Sequence, residues 1–302
     1  MRCSALVFLL FALTASADVR VLSGAVLIEP GQAAPVLKLR NIGTNGTTWE
    51  LGVSGWTMSA EIERRRFFAN VALTPLHAHS SNRIYVDGHR ARELEFDSSS
   101  YIGTAGMRFH SNDRMTTELA GVLGRDESTY AGVTLAQRYR RVTASDPFDT
   151  RIDGVELSAL GELYSGGGTW SRLTLMESAG RTMGRVHLRQ SAAVVAGSHL
   201  NRVRDFLLGG SWDALGPTAI FGRHYAEYRV TRGIVANAGA DYTLTPRWTL
   251  GARVSAFRAP SADATGAALQ TTMHIRGAHV TVGVANRGLV YGSVSAAAFL
   301  RR

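Results

Sequence analysis

The chain has 302 residues, 45% of them hydrophobic, and a formal charge of +9, yet past the N-terminus no apolar run approaches the ~20 residues of a membrane helix, which excludes a helical membrane bundle. Its one cysteine, Cys3, excludes a disulfide framework. The basic residues other than Lys38 are all arginine and, Arg64–Arg66 and two adjacent pairs aside, stand singly, without the long runs that track a phosphate backbone, so no nucleic-acid partner is expected.

Residues 1–17, MRCSALVFLLFALTASA, carry one arginine, an apolar run from Ala5 to Leu13 and an Ala15-Ser16-Ala17 cleavage site, which reads as a secretory signal peptide. Residues 18–46 are either a first strand pair or a periplasmic segment, and the remainder, 47–302, forms the main domain. From Thr47 onward the apolar residues alternate: Trp49, Leu51 and Val53, then Phe67, Ala69, Val71 and Leu73. Period two is the signature of a strand with two different faces. The pattern lapses from His77 to Ser98, a charged stretch read as the longest outer loop, and resumes from Tyr101 to Phe109.

A regular meander follows. Strands are expected at Met115–Gly124, Thr129–Val142, Ile152–Tyr164, Trp170–Ser178, Met183–Val195, Phe206–Ala214, Ala219–Val230, Leu269–Arg276, His279–Ala285 and Leu289–Phe299, separated by Gly, Pro, Asn, Asp and Ser. The hairpin from Ile234 to Pro260 is the plainest case. Ile234, Ala236, Ala238, Ala240, Tyr242 and Leu244 form one row, Thr245-Pro246 breaks it, and Trp248, Leu250, Ala252, Val254 and Ala256 form the next. Arms of about ten residues with aromatic residues beside the turn suit a tilted membrane strand. The expected fold is therefore all-β, a single antiparallel up-and-down transmembrane β-barrel of about 14 strands, within 12–16.

The runs YTLTPRWTLGARVSAF and LVYGSVSAAAF resemble the closing strands of Gram-negative outer-membrane β-barrel proteins of the small monomeric porin-like class. The resemblance implies a location in the outer membrane, contact with outer-membrane lipid and insertion by the barrel assembly machinery. That class often ends on an aromatic residue, whereas here Phe299 is followed by Leu300, Arg301 and Arg302.

An arginine facing lipid at mid-membrane costs about 2–4 kcal/mol, so the strand arginines are expected to face inward. This makes Arg108, Arg138, Arg140, Arg172, Arg185, His187, Arg189, Arg223, Glu227, Arg229, Arg253 and Arg276 the expected pore lining. A narrow lumen with surplus positive charge would favour small anionic solutes. The competing expectation is that these arginines pair with Glu118, Glu156, Glu162 and Glu227 and hold a closed barrel together. No phosphate loop, zinc spacing or nucleophile elbow is present, so no cofactor and no metal is expected. The acidic residues Glu93, Glu95 and Asp97 alternate with arginines and read as a salt-bridged loop. One fragment has enzymatic character: His79-Ser80-Ser81-Asn82 is similar to the short motif of outer-membrane phospholipase A and lipid A deacylases. That resemblance would make His79 the base and Ser81 the nucleophile of a lipid hydrolase, the alternative to a non-enzymatic passive pore or structural barrel.

Overall fold

The computed structural model describes all residues except 1–18, 30–31, 43–45, 55–56, 75–84, 87–88, 92–98, 144–151, 201–202, 277 and 302. The signal-peptide stretch, His79, Ser81 and the acidic residues Glu93, Glu95 and Asp97 lie outside the described residues.

Sixteen strands close into one antiparallel barrel in strict sequence order. They are β1 (Val19–Glu29), β2 (Gln32–Ile42), β3 (Thr47–Ser54), β4 (Thr57–Arg64), β5 (Phe67–Thr74), β6 (Ser100–Asn112), β7 (Met115–Arg125) and β8 (Thr129–Val142), followed by β9 (Gly154–Ser165), β10 (Thr169–Met183), β11 (Val186–Ser198), β12 (Arg232–Thr245), β13 (Trp248–Ala259), β14 (Ala262–Ile275), β15 (Ala278–Ala285) and β16 (Val290–Arg301). The seam is fully paired, from Val19 opposite Arg301 to Ile28 opposite Gly292. Closure leaves no sheet edge, which is what a strand-built wall in lipid requires.

The count of 14 is corrected to 16, and the reason is local. Residues 18–46 contribute β1 and β2 to the wall. The TMSAEIER stretch, passed over in the alternation, forms β4, because its inward glutamates break an apolar row without breaking the period. Conversely, Phe206–Ala214 and Ala219–Val230 are not wall strands. Of them Phe206–Leu208 and Tyr228–Val230 pair as a small separate two-stranded sheet, with one further bridge from Gly210 to Ile220.

Outward rows are apolar and unburied. Leu119, Leu123, Val133, Leu135, Leu163, Val254 and Leu269 are each 51–70% exposed, which in water would be a large aggregation surface and in a bilayer is the lipid contact. Along β13 the side chains alternate exposed and buried from Trp248 to Arg258, so Arg253 and Phe257 point inward while Leu250 and Val254 point outward. Phe67, Tyr242 and Trp248 are exposed beside the turns at the end where β1 begins and β16 finishes, the place of an interfacial aromatic girdle. No helix among the described residues is long and apolar enough to cross a membrane, so crossing is by strands.

Candidate functional site

Between β11 and β12 the chain does not form an outer loop. The described part of residues 199–231 turns back into the barrel, and its apolar side chains are among the most buried of the described residues: Ile220 is 0% exposed, Leu208 1%, Trp212 and Phe221 2%. Full burial of such a side chain contributes about 1.5–3 kcal/mol, so the segment is seated by its own hydrophobic contacts. Phe206, Leu208, Ile220 and Val230 pack on inward residues Ala193, Val195, Val235, Phe257 and Ala264. Trp212, Ala219 and Phe221 pack on Leu27, Ala268, Ala285 and Tyr291. At Gly266 of β14 the fit is close, since a Cβ there would fall 1.8 Å from the Phe221 carbonyl oxygen. The wall from β11 round to β1 is thus covered by a plug, while the wall from β2 to β10 carries further inward charges.

Three polar anchors fix this plug. Arg204 donates from Nε and Nη2 to the two carboxylate oxygens of Asp126 at 2.8 and 2.9 Å, with a further bond from Nη2 to Ser128 Oγ at 3.1 Å. Its guanidinium also lies 4.6 Å from the Trp170 ring and 5.3 Å from the Tyr130 ring, in an aromatic box completed by Tyr164 stacked on Trp170. Burial alone would raise the Asp126 carboxyl, but hydrogen bonds from Arg204 and the backbone of Ser128 and Glu127, with the Arg204 charge, outweigh it and hold the group below the usual carboxylate range. Replacing Arg204 by lysine keeps the charge but removes the planar fork and its stacking. The expected cost is about 1.5–3 kcal/mol of attachment, the worth of hydrogen bonds to a charged group. It should appear as faster limited proteolysis within residues 199–231 at unchanged barrel mobility on a gel.

The second anchor is Trp212, whose indole N–H donates to the carbonyl oxygens of Ile28 and Gly292 at 3.2 and 3.1 Å. Those two residues are the last pair of the seam between β1 and β16. The third is the neighbouring Asp213. It accepts from Arg253 Nε at 2.9 Å and Nη2 at 2.8 Å, from Arg189 Nη1 at 3.0 Å and from Gln270 Nε2 at 2.9 Å. Arg253 also donates to Asp241 at 2.7 Å, and Tyr291 donates to Gln270 at 2.9 Å. Two carboxylates and two guanidiniums cancel in charge. Burial would raise the Asp213 carboxyl, yet the Arg189 and Arg253 charges and the bonds from Arg253 and Gln270 hold it well below the usual carboxylate range.

The arginines expected to line a pore divide into three groups. Arg108 contacts Glu61, Glu63 and Glu118, the last at 2.6 Å. Arg138 and Arg140 share Glu156, and Arg172 pairs with Glu162 at 3.6 Å beneath the Phe206 ring. Arg189 and Arg253 hold the plug, and His187 is buried beside Thr182, its Nδ1 3.0 Å from the hydroxyl. The other placements are corrections. Arg185 and Arg276 lie exposed in the turns before β11 and after β14, where the chain has left the strand phase that would point them inward. Arg223, Glu227 and Arg229 belong to the plug and not to a wall strand, with Arg223 and Glu227 paired at 3.4 Å. Near the same end as those turns, His274 and His279 meet across β14 and β15 with ring centroids 4.6 Å apart. Among the described residues no group of three or more His, Cys, Asp or Glu could hold a metal ion.

The sequence reading missed Asp126, Arg204, Trp212, Asp213, Asp241 and Gln270. One signal was available: Val195, Val235 and Phe257 occupy the inward phase, and a water-filled lumen does not place such residues there.

No protein-family model matches the sequence, and no curated protein matches it. Among solved structures, the barrel is similar to BamA from Haemophilus ducreyi lacking POTRA domains 1–3, with a TM-score of 0.64 and 9% identity over 94% of this chain and 70% of that one. It is also similar to CdiB from Acinetobacter baumannii (TM-score 0.52, 8% identity, 93% of this chain) and CdiB from Escherichia coli (0.51, 14%, 92%). The chain spans 60% and 63% of those two proteins. At these identities the likeness is one of fold: the chain is a β-barrel of outer-membrane architecture.

Proposed function

We propose that the protein is a gated outer-membrane pore, closed at rest by residues 199–231 and conducting small hydrated solutes only when that plug leaves its wall. The carrying observation is the double character of the interior. One arc of wall is covered by the plug, and the other is polar and encloses a cavity of about 410 Å³ lined by Lys38, Arg40, Glu50, Glu61, Glu63 and Arg108 among others.

The described charges of that half are matched. Lys38, Arg40, Arg108, Arg138, Arg140 and Arg172 face Glu50, Glu61, Glu63, Glu118, Glu156 and Glu162, six against six. This pairing weakens the case for anion preference, and the open state should discriminate little between small anions and cations. The lipid-hydrolase alternative retains only its basis in the His79 and Ser81 motif.

Planar-bilayer recording tests the reading. The wild type should be mostly closed with brief openings, and a variant with residues 206–228 replaced by a short Gly/Ser linker should conduct continuously. Steady wild-type conductance equal to that of the variant would show an open pore, and silence in both would show a structural barrel. Closure should persist on mild acidification. The folded-state pKa values of Asp126 and Asp213 are depressed, so their contribution is present above the ordinary carboxylate value of 3.8 and is lost only as pH falls through the lower folded values. Leak that already rises between about pH 7 and pH 5 would show that other groups hold the plug.

A further inference from the structure

Glu177 stands where a membrane barrel keeps apolar side chains. It lies on β10 in the outward phase of Leu173 and Leu175, which are 42% and 40% exposed. It stands six positions before Met183, the last residue of β10, about 15 Å of height on a strand tilted near 40°. Exposed Val155 on β9 and Leu188 on β11 lie level with it or nearer that end, so it sits inside the apolar band and not at its rim. Gln190 of β11, also outward, donates to the Glu177 carboxylate at 3.1 Å. Gln137 of β8 is a third outward polar side chain, on the far side of a groove of about 470 Å³ that Leu157, Ala159, Ala192 and Glu177 also line.

An ionisable group facing lipid is costly and is retained where something satisfies it. An acyl chain offers no donor, and a phosphate headgroup would be repelled by a carboxylate. A second copy of this chain offers what is missing, because each copy carries one acceptor-only carboxylate and two carboxamides, each able to donate two N–H bonds. Ala159 and Ala192 leave the backbone accessible for close approach, as small residues do at interfaces within lipid. From these observations we infer that the face built by β8 to β11 is a two-fold interface between two copies within the membrane, with Glu177 of each copy accepting from Gln137 or Gln190 of the other. The inference needs the barrel to stand in a bilayer and is independent of whether it conducts.

Oxidative cross-linking in phosphatidylethanolamine/phosphatidylglycerol vesicles tests it, on a Cys3→Ser background that leaves a single introduced thiol. Ala192→Cys should give a dimer band and Val26→Cys, outward on β1 across the barrel, should not. Adding Glu177→Leu or Gln190→Leu to Ala192→Cys should abolish the band while heat-modifiable gel mobility persists, whereas Glu177→Gln should keep it. No band from Ala192→Cys, a band equally strong from Val26→Cys, a band indifferent to both leucine variants, or loss of the band in Glu177→Gln would each overturn the pairing. Two separate leucine variants guard against either one failing to fold, and conductance measured on the same samples reports independently on the pore.

Discussion

Asp213→Ala should unseat the plug and convert a mostly closed barrel into a leaky one. The substitution withdraws the carboxylate to which Arg189, Arg253 and Gln270 all converge, at a site where Arg253 is only 3% exposed. Removing one partner of a buried ion pair strands the other charge, with a typical cost of about 3–5 kcal/mol. Arg253 keeps Asp241, so the wall itself should hold and the loss should fall on the attachment of residues 199–231. Thermal unfolding followed by gel mobility should therefore shift little, while conductance and proteolysis of the plug rise sharply. Asp213→Asn keeps the shape and can still accept hydrogen bonds, so it should lie between the two. A barrel equally closed in all three forms would mean that apolar packing alone seats the plug.

The wall was legible because lipid imposes the simplest rule that strands obey. In β12 and β13 every second residue is apolar, and the structure carries that alternation round the whole outer surface. What hid was anything defined by contacts between distant residues. Asp213 reads in sequence as one polar residue of the expected strand Phe206–Ala214, and only the closed barrel brings it to Arg189 and Arg253. Phe206–Ala214 and Ala219–Val230 alternate well enough to pass for wall strands, and nothing local tells a strand in lipid from a chain packed against the inside of one. Arg185 failed for a smaller reason: the strand begins at Val186, and a boundary error of a few residues moves a side chain from the lumen to a turn. The even strand number followed from topology, whereas its value depended on β4, whose inward Glu61 and Glu63 disguise it as a charged loop.

Trp212→Ala should loosen the seam itself. The indole fills an inner-wall position at 2% exposure, and its single N–H is shared between the carbonyls of Ile28 and Gly292, which face each other across the junction of β1 and β16. Truncating a buried tryptophan costs about 3–5 kcal/mol through lost contacts and the cavity left behind. Part of that should be local, because Leu27 and Tyr291, neighbours of the two acceptor residues in the chain, belong to the same cluster. Trp212→Phe keeps most of the volume and removes the donor, so it isolates the polar contribution, about 1–3 kcal/mol for acceptors left unsatisfied. Hydrogen exchange by mass spectrometry should then show faster exchange in β1 near Ile28 and in β16 near Gly292 for both variants, larger for alanine, with β6 to β9 unchanged. Since Asp213 follows directly in the chain, the two anchors are coupled: a plug released at Asp213 also pulls on the bond to the seam. The double variant should accordingly cost less than the sum of the single ones. Strict additivity, or faster exchange spread evenly round the barrel, would show that Trp212 fills space without tying the seam.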